Sequence, residues 1–143
     1  MSLEKTKQWF EQAIPEPTVE QACIQVGCHY EEVSEMLAVM VDDRDGCNIS
    51  DLATEYKQCS REHLPYISAM NDIEKVELLD SLVDQIVTAV GVGHMMGMDV
   101  LGALEEVNRS NFSKLEDGKP VFDSNGKLTK GKDYVKPNLG KFV

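Results

Sequence analysis

The sequence has no uninterrupted apolar run approaching the roughly 20 residues that cross a membrane as a helix. Its first ten residues lack the apolar core of a secretory signal. A chain without either feature is expected in the cytoplasm and off the membrane. Positive charge is also scarce: 14 Lys and Arg stand against 25 Asp and Glu, a formal net charge of −11. So acidic a chain is a poor partner for nucleic-acid phosphates or an anionic bilayer, and neither is expected to bind. The cysteines (Cys23, Cys28, Cys47 and Cys59) make no CxxC pair. The histidines, His29, His63 and His94, complete no zinc-finger spacing. Free thiols packed as small apolar side chains are expected in a reducing compartment. Internal repeats and low-complexity tracts are lacking too.

What remains is one domain's worth of chain, 143 residues against a common domain size of about 100–150. At 42% hydrophobic residues it can build a core. The charge is unevenly placed: residues 1–108 carry a net −15 and residues 109–143 a net +4. An acidic body with a basic tail suggests two chemical tasks, although each half alone reads as an ordinary solvated surface.

The body reads as helical. A first helix over Ser2–Ala13 is stopped by Pro15 and Pro17. Thr18 and Gln21 form a capping-box pattern opening a second helix to about Val41. Residues 42–46 have turn chemistry. A third helix is expected over Ser50–His63, ending before Pro65. Asn71 and Glu74 make a second capping box, opening a long fourth helix to about Met98. Gly97 and Asp99 mark a break, and a fifth helix runs to about Asn111. Beyond it, Val121–Phe122 and Lys127–Leu128 flank a turn sequence that suits a short β-hairpin.

The long fourth helix is apolar on nearly every side, with Val76, Leu79, Leu82, Val83, Ile86 and Val90 spread around it, so it is expected to be buried. Yet Glu77, Asp80 and Asp84 fall within about 60° of one another on one face. No Lys or Arg occurs from Val76 to Val107. Buried carboxylates side by side are costly unless something positive offsets them. The second helix repeats the pattern: Glu32 and Glu35 lie one turn apart beside an apolar stripe, while Glu31 points further round toward solvent. A single Glu-x-x-Glu pair is commonly a solvated helix face. Two such sets in one small chain suggest an oxygen-lined cage for hard divalent cations, Mg²⁺ or Mn²⁺. The expected ligand set, Glu32, Glu35, Glu77, Asp80 and Asp84, contains neither histidine nor thiolate, and His94 lies about three turns past Asp84.

With these motifs the chain resembles the all-α nucleoside triphosphate pyrophosphohydrolases, the superfamily of MazG and phosphoribosyl-ATP pyrophosphohydrolase. Glu32 and Glu35 match the family's Glu-x-x-Glu. The family's later Glu-x-x-Asp has two readings here: Glu77 with Asp80 fits it literally, whereas counting back from the turn at Gly97–Asp99 places the aspartate at Asp84 and leaves Ser81 at the glutamate position. Asn111 matches a recurrent family asparagine, and the tail from Ser110 to Pro137 is similar to that of a subgroup common in phages and bacteria.

The resemblance implies an all-α bundle completed by oligomerisation to a dimer or tetramer, with a short C-terminal β-hairpin and loop tail. Residues 1–111 would form the catalytic bundle and residues 112–143 a basic lid of the same domain. The implied reaction cleaves a (deoxy)nucleoside triphosphate between its α and β phosphates, giving monophosphate and pyrophosphate, in control of the nucleotide pool. About two or three divalent ions would assist. Glu35 or Glu32 would take the proton of the attacking water. Asn108, Asn111, Lys114, Lys130, Lys132 and Tyr134 would hold sugar and phosphates. Two other readings stand beside this one: a phosphoribosyl-ATP pyrophosphohydrolase, and a non-enzymatic cation-binding helical oligomer.

Overall fold

The computed structural model describes residues 1–40, 44–124 and 126–143, with the backbone alone at 44–47. The chain is mostly helical. Its elements are α1 (Ser2–Ala13), α2 (Val19–Met40), α3 (Arg44–Lys57), α4 (Leu64–Ala69), α5 (Asp72–Met95) and α6 (Val100–Phe112), followed by β1 (Val121–Phe122), β2 (Leu128–Thr129) and a 3₁₀ turn at Gly140–Phe142. Two compact units divide it: Met1–Pro15 with Val76–Val143, and Glu16–Lys75. In the first of these units the N-terminal helix and the tail both pack on α6.

In the Glu16–Lys75 unit, α2 starts at a true capping box. Gln21 N–H donates to Thr18 Oγ1 at 3.2 Å, and Thr18 N–H donates to Gln21 Oε1 at 2.9 Å. These bonds satisfy donors that a helix end leaves open. Helices α2 and α3 then cross at very short range. A Cβ on Gly27 would lie 2.6 Å from the Ala53 carbonyl oxygen and 2.7 Å from Lys57 N, so only a residue without a side chain fits there. Cys23 and Ala53 fill the rest of the seam, both buried. Beside it Tyr30 meets Tyr56 at a tilt, ring centroids 5.6 Å apart, and Tyr56 stacks on His63 at 4.3 Å.

The third helix ends at Lys57, earlier than expected, and a separate short helix α4 follows. Pro65 does not stop a helix here. It sits in the first turn of α4, where its missing N–H would have had no helical partner anyway. The turn expected over residues 42–46 lies partly outside the described residues, and its later part is already helical backbone.

In the other unit, α1 lays Trp9 and Ala13 against α6. Asn108 fastens the pair: its Nδ2 donates to the Ser2 carbonyl at 2.8 Å, and its Oδ1 accepts from Thr6 Oγ1 at 2.9 Å. The break between α5 and α6 falls where expected. Gly97 takes a φ of +76°, and Asp99 caps α6 by accepting from Gly102 N–H at 2.9 Å. Val100 turns back onto Gly93, the one buried residue of α5. Beyond α6, β1 and β2 pair antiparallel with Val121 opposite Thr129 and Phe122 opposite Leu128, the expected hairpin shifted by one residue on its second strand.

Helix α5 departs from expectation. Its capping box forms, with Asn71 N–H donating to Glu74 Oε2 at 2.8 Å and Glu74 N–H donating to Asn71 Oδ1 at 3.1 Å. From Asp72 to Val90, however, every residue is exposed in the single chain, Val76 by 66%, Leu79 by 61% and Val87 by 63%. The expected burial of this helix is therefore not met within the single chain.

The Gly27 crossing yields a direct test. Gly27→Val drives a branched side chain into the α3 backbone and should destabilise the fold by about 3 kcal/mol, the upper range for overpacking. Urea denaturation followed by circular dichroism measures it; a loss under about 0.5 kcal/mol would mean that α2 and α3 are not in this close contact.

Candidate functional site

The two carboxylate sets stand in different units. On α2, Glu32 and Glu35 are exposed and one turn apart. Their neighbour Glu31 turns to α3, where its Oε1 accepts from Lys57 Nζ at 2.7 Å. Glu31, expected to face solvent, is thus engaged in holding the α2–α3 seam, while Glu32 and Glu35 take the faces beyond it. On α5, Glu77, Asp80 and Asp84 run in line along one face, all exposed. The nearest cation in sequence, Lys75, lies 3.6 Å from Asp72 in the helix's first turn. Among the described residues, no three His, Cys, Asp or Glu side chains come together in a way that would hold a metal ion within one chain.

The donor chemistry fits a hard cation. All five expected ligands offer carboxylate oxygens, which suit Mg²⁺ or Mn²⁺. Exposed acids on a single chain are hydrated and stable without a metal. Covering α5 would change that, since desolvation and like charge both raise the free energy of ionised carboxylates.

The tail is ordered against α6 and runs back along it. Gly131 N–H donates to the Lys114 carbonyl at 2.9 Å. Val135 N–H donates to Ser113 Oγ at 2.9 Å, and Asn138 N–H to Glu106 Oε1 at 2.9 Å. Asp99 N–H finally donates to the Phe142 carbonyl at 2.9 Å, at the start of α6. At the centre of this latch Arg109 grips Glu106 with two bonds of 2.8 Å. A bidentate guanidinium–carboxylate pair is a strong, directional contact. The tail is fastened to α6, and Glu77, Asp80 and Asp84 are exposed in the single chain.

The expected phosphate and sugar contacts separate into two groups. Asn108 is 1% exposed, and both ends of its amide are engaged by α1. In the single chain it is a buried tie between α1 and α6. Asn111, Lys114, Lys130, Lys132 and Tyr134 are gathered near the C-terminal end of α6 by the Gly131–Lys114 bond. Lys114 Nζ donates to Asn111 Oδ1 at 2.7 Å and sits 5.5 Å from the Trp9 ring centre. Lys130 lies 4.8 Å from the centre of the Tyr134 ring, and Lys132 is exposed. At the other end of α6 lies an apolar groove of about 560 Å³, lined by Met1, Leu3 and Leu101 and rimmed by Glu4 and Glu105.

The Glu106–Arg109 pair had a signal in the sequence, an acid and a base three residues apart on a helix. Nothing local marked the tail as its second partner. Set against known protein families, curated proteins and solved structures, the chain matches none of them.

The latch gives a pH prediction. Arg109 foremost, then the Asn138 N–H, holds the Glu106 carboxyl down from an ordinary 4.5 to about 2. A carboxyl depressed by folding contributes stability above its ordinary value and loses it as pH falls through the folded one. The latch should therefore be closed at neutral pH and loosen between about pH 4.5 and pH 2. Amide hydrogen exchange at Asn138 should accelerate over that window beyond its intrinsic rate, and Glu106→Gln should show fast exchange throughout. Equal protection in both proteins at neutral pH would remove Glu106 from the latch.

Proposed function

We propose that this chain is the subunit of a Mg²⁺- or Mn²⁺-dependent nucleotide pyrophosphohydrolase. It cleaves a (deoxy)nucleoside triphosphate between the α and β phosphates and acts in control of the nucleotide pool. The observation that carries this reading is α5: three carboxylates in line on a helix whose apolar faces are left open in the single chain. A helix of that composition calls for a cover, and a second copy of the chain is the cover proposed here. Once covered, Glu77, Asp80 and Asp84 lose water, and divalent cations then relieve their repulsion.

Glu32 and Glu35 on α2 would join these acids as ligands. When bound, the cations supply neutralising charge for a triphosphate carrying about four negative charges, orient it and acidify a water molecule. Glu35 or Glu32 accepts the proton of that water. Lys114, Lys130 and Lys132 receive the outer phosphates as point charges. Asn111, held by Lys114, offers its amide to sugar or phosphate, and Tyr134 stands beside Lys130. The non-enzymatic cation-binding oligomer remains the second reading, because exposure of α5 calls for a partner without calling for chemistry.

Incubation with each ribo- and deoxyribonucleoside triphosphate and Mg²⁺, with the products resolved by chromatography, separates these readings. Monophosphate and pyrophosphate are expected from at least one substrate; orthophosphate release, or no turnover on any, overturns the proposal. Glu35→Gln and Asp84→Asn should each lower turnover by about 100-fold or more while circular dichroism is unchanged. Wild-type rates in both would take these residues out of the mechanism.

Metal binding is tested separately. Mg²⁺ should raise the melting temperature relative to EDTA, since a ligand that binds only the folded state stabilises it. The shift should shrink in Asp80→Asn and Asp84→Asn. Identical melting curves with and without Mg²⁺ would exclude a shared cation cage.

A further inference from the structure

The α2–α3 seam places two thiols side by side. Cys23 lies one turn before Gly27 on α2, where the helices approach most closely, and has no exposed surface. Cys59 lies two residues beyond the end of α3. Its Sγ is 3.4 Å from the carbonyl oxygen of Glu20, one turn before Cys23 on α2, close enough to help raise the pKa of the Cys23 thiol.

The backbone at Cys59 is unusual for its residue type. Cys59 N–H donates to the Tyr56 carbonyl at 3.0 Å and Ser60 N–H to the Glu55 carbonyl at 3.3 Å. This double bonding closes a helix C-terminus around a left-handed residue, a position that favours glycine. Cys59 occupies it with φ +50°. A cysteine here brings its sulfur onto α2, which glycine cannot do.

We propose that Cys23 and Cys59 form a reversible disulfide that pins the C-terminal turn of α3 to α2 when a low-molecular-weight disulfide is in excess. The thiols differ in access. Cys59 is half-buried and meets the oxidant first; Cys23 is enclosed, and burial followed by its neighbour Cys59 pushes its thiol pKa up. The Cys59 thiolate attacks one sulfur of glutathione disulfide, forming a mixed disulfide and releasing one glutathione thiolate. Cys23 then attacks Cys59 Sγ and gives up its proton. The protein disulfide forms and the second glutathione departs as its thiol. Two protein thiols are oxidised and one glutathione disulfide is reduced to two glutathiones. The proposal is independent of the nucleotide reading.

The folded full-length chain is incubated with glutathione disulfide at about pH 8, quenched with an alkylating agent and mapped by fragment-ion mass spectrometry. A Cys28→Ser, Cys47→Ser double variant, retaining Cys23 and Cys59, is treated in parallel. The double variant should lose two hydrogen atoms and take up no alkylating agent, and dithiothreitol should reverse both effects. In the unsubstituted chain the link should join Cys23 to Cys59. Cys23→Ser should leave a lasting glutathione adduct on Cys59. A lasting adduct on Cys59 with Cys23 present, alkylation of both thiols, or a link from Cys59 to a different cysteine would each overturn the proposal. If the double variant does not fold, the mapping on the unsubstituted chain decides alone.

Discussion

A helix that is apolar on every side and lined by carboxylates along one of them places two opposed demands on its surroundings. Its leucines, valines and isoleucines are stabilised by leaving water, whereas Glu77, Asp80 and Asp84 are stabilised by keeping it. In the single chain α5 meets only the second demand, and the acids are hydrated at the expense of a broad apolar surface. Satisfying both at once requires a cover for the apolar faces and positive charge for the acids. The proposed second subunit and the proposed divalent ions answer these two demands together.

The basic residues fit this picture in a different way from a loose lid. A flexible lysine-rich tail would lose much conformational freedom on closing over a ligand. Here that ordering is already accomplished by Glu106, Arg109 and Ser113, which hold the backbone of the tail along α6. Lys114 is likewise held by Asn111, beside Trp9. Cationic groups fixed before a ligand arrives bind it with less entropic loss, so what the latch removes in reach it returns in preorganisation.

Features decided within a few residues were legible in the sequence. The capping boxes at Thr18–Gln21 and Asn71–Glu74 and the break at Gly97–Asp99 depend on neighbours along the chain, and all formed as expected. Pro65 misled because the same residue that cannot stand inside a helix is well placed in the first turn of one. The exposure of α5 was hidden for a deeper reason: periodicity tells how many sides of a helix seek cover, and says nothing about which chain supplies it. Asn108 and Asn111 offer identical amides three residues apart. Only the position of α1, set by long-range packing, makes one a buried tie and leaves the other half-exposed. The direction of the tail was equally out of reach, because Glu106 gives no local sign of bonding to Asn138.

The tie made by Asn108 also bears on how the molecule assembles. Its two bonds span 102 and 106 residues of chain, whereas the α2–α3 hairpin and the α6 latch close over far shorter separations. Loop closure becomes less favourable and slower as the separation grows. The N-terminal helix is therefore expected to dock last, onto an α6 already formed. Until then Trp9 would stand in water, so the chain's single tryptophan reports the final step of folding and is blind to the earlier ones.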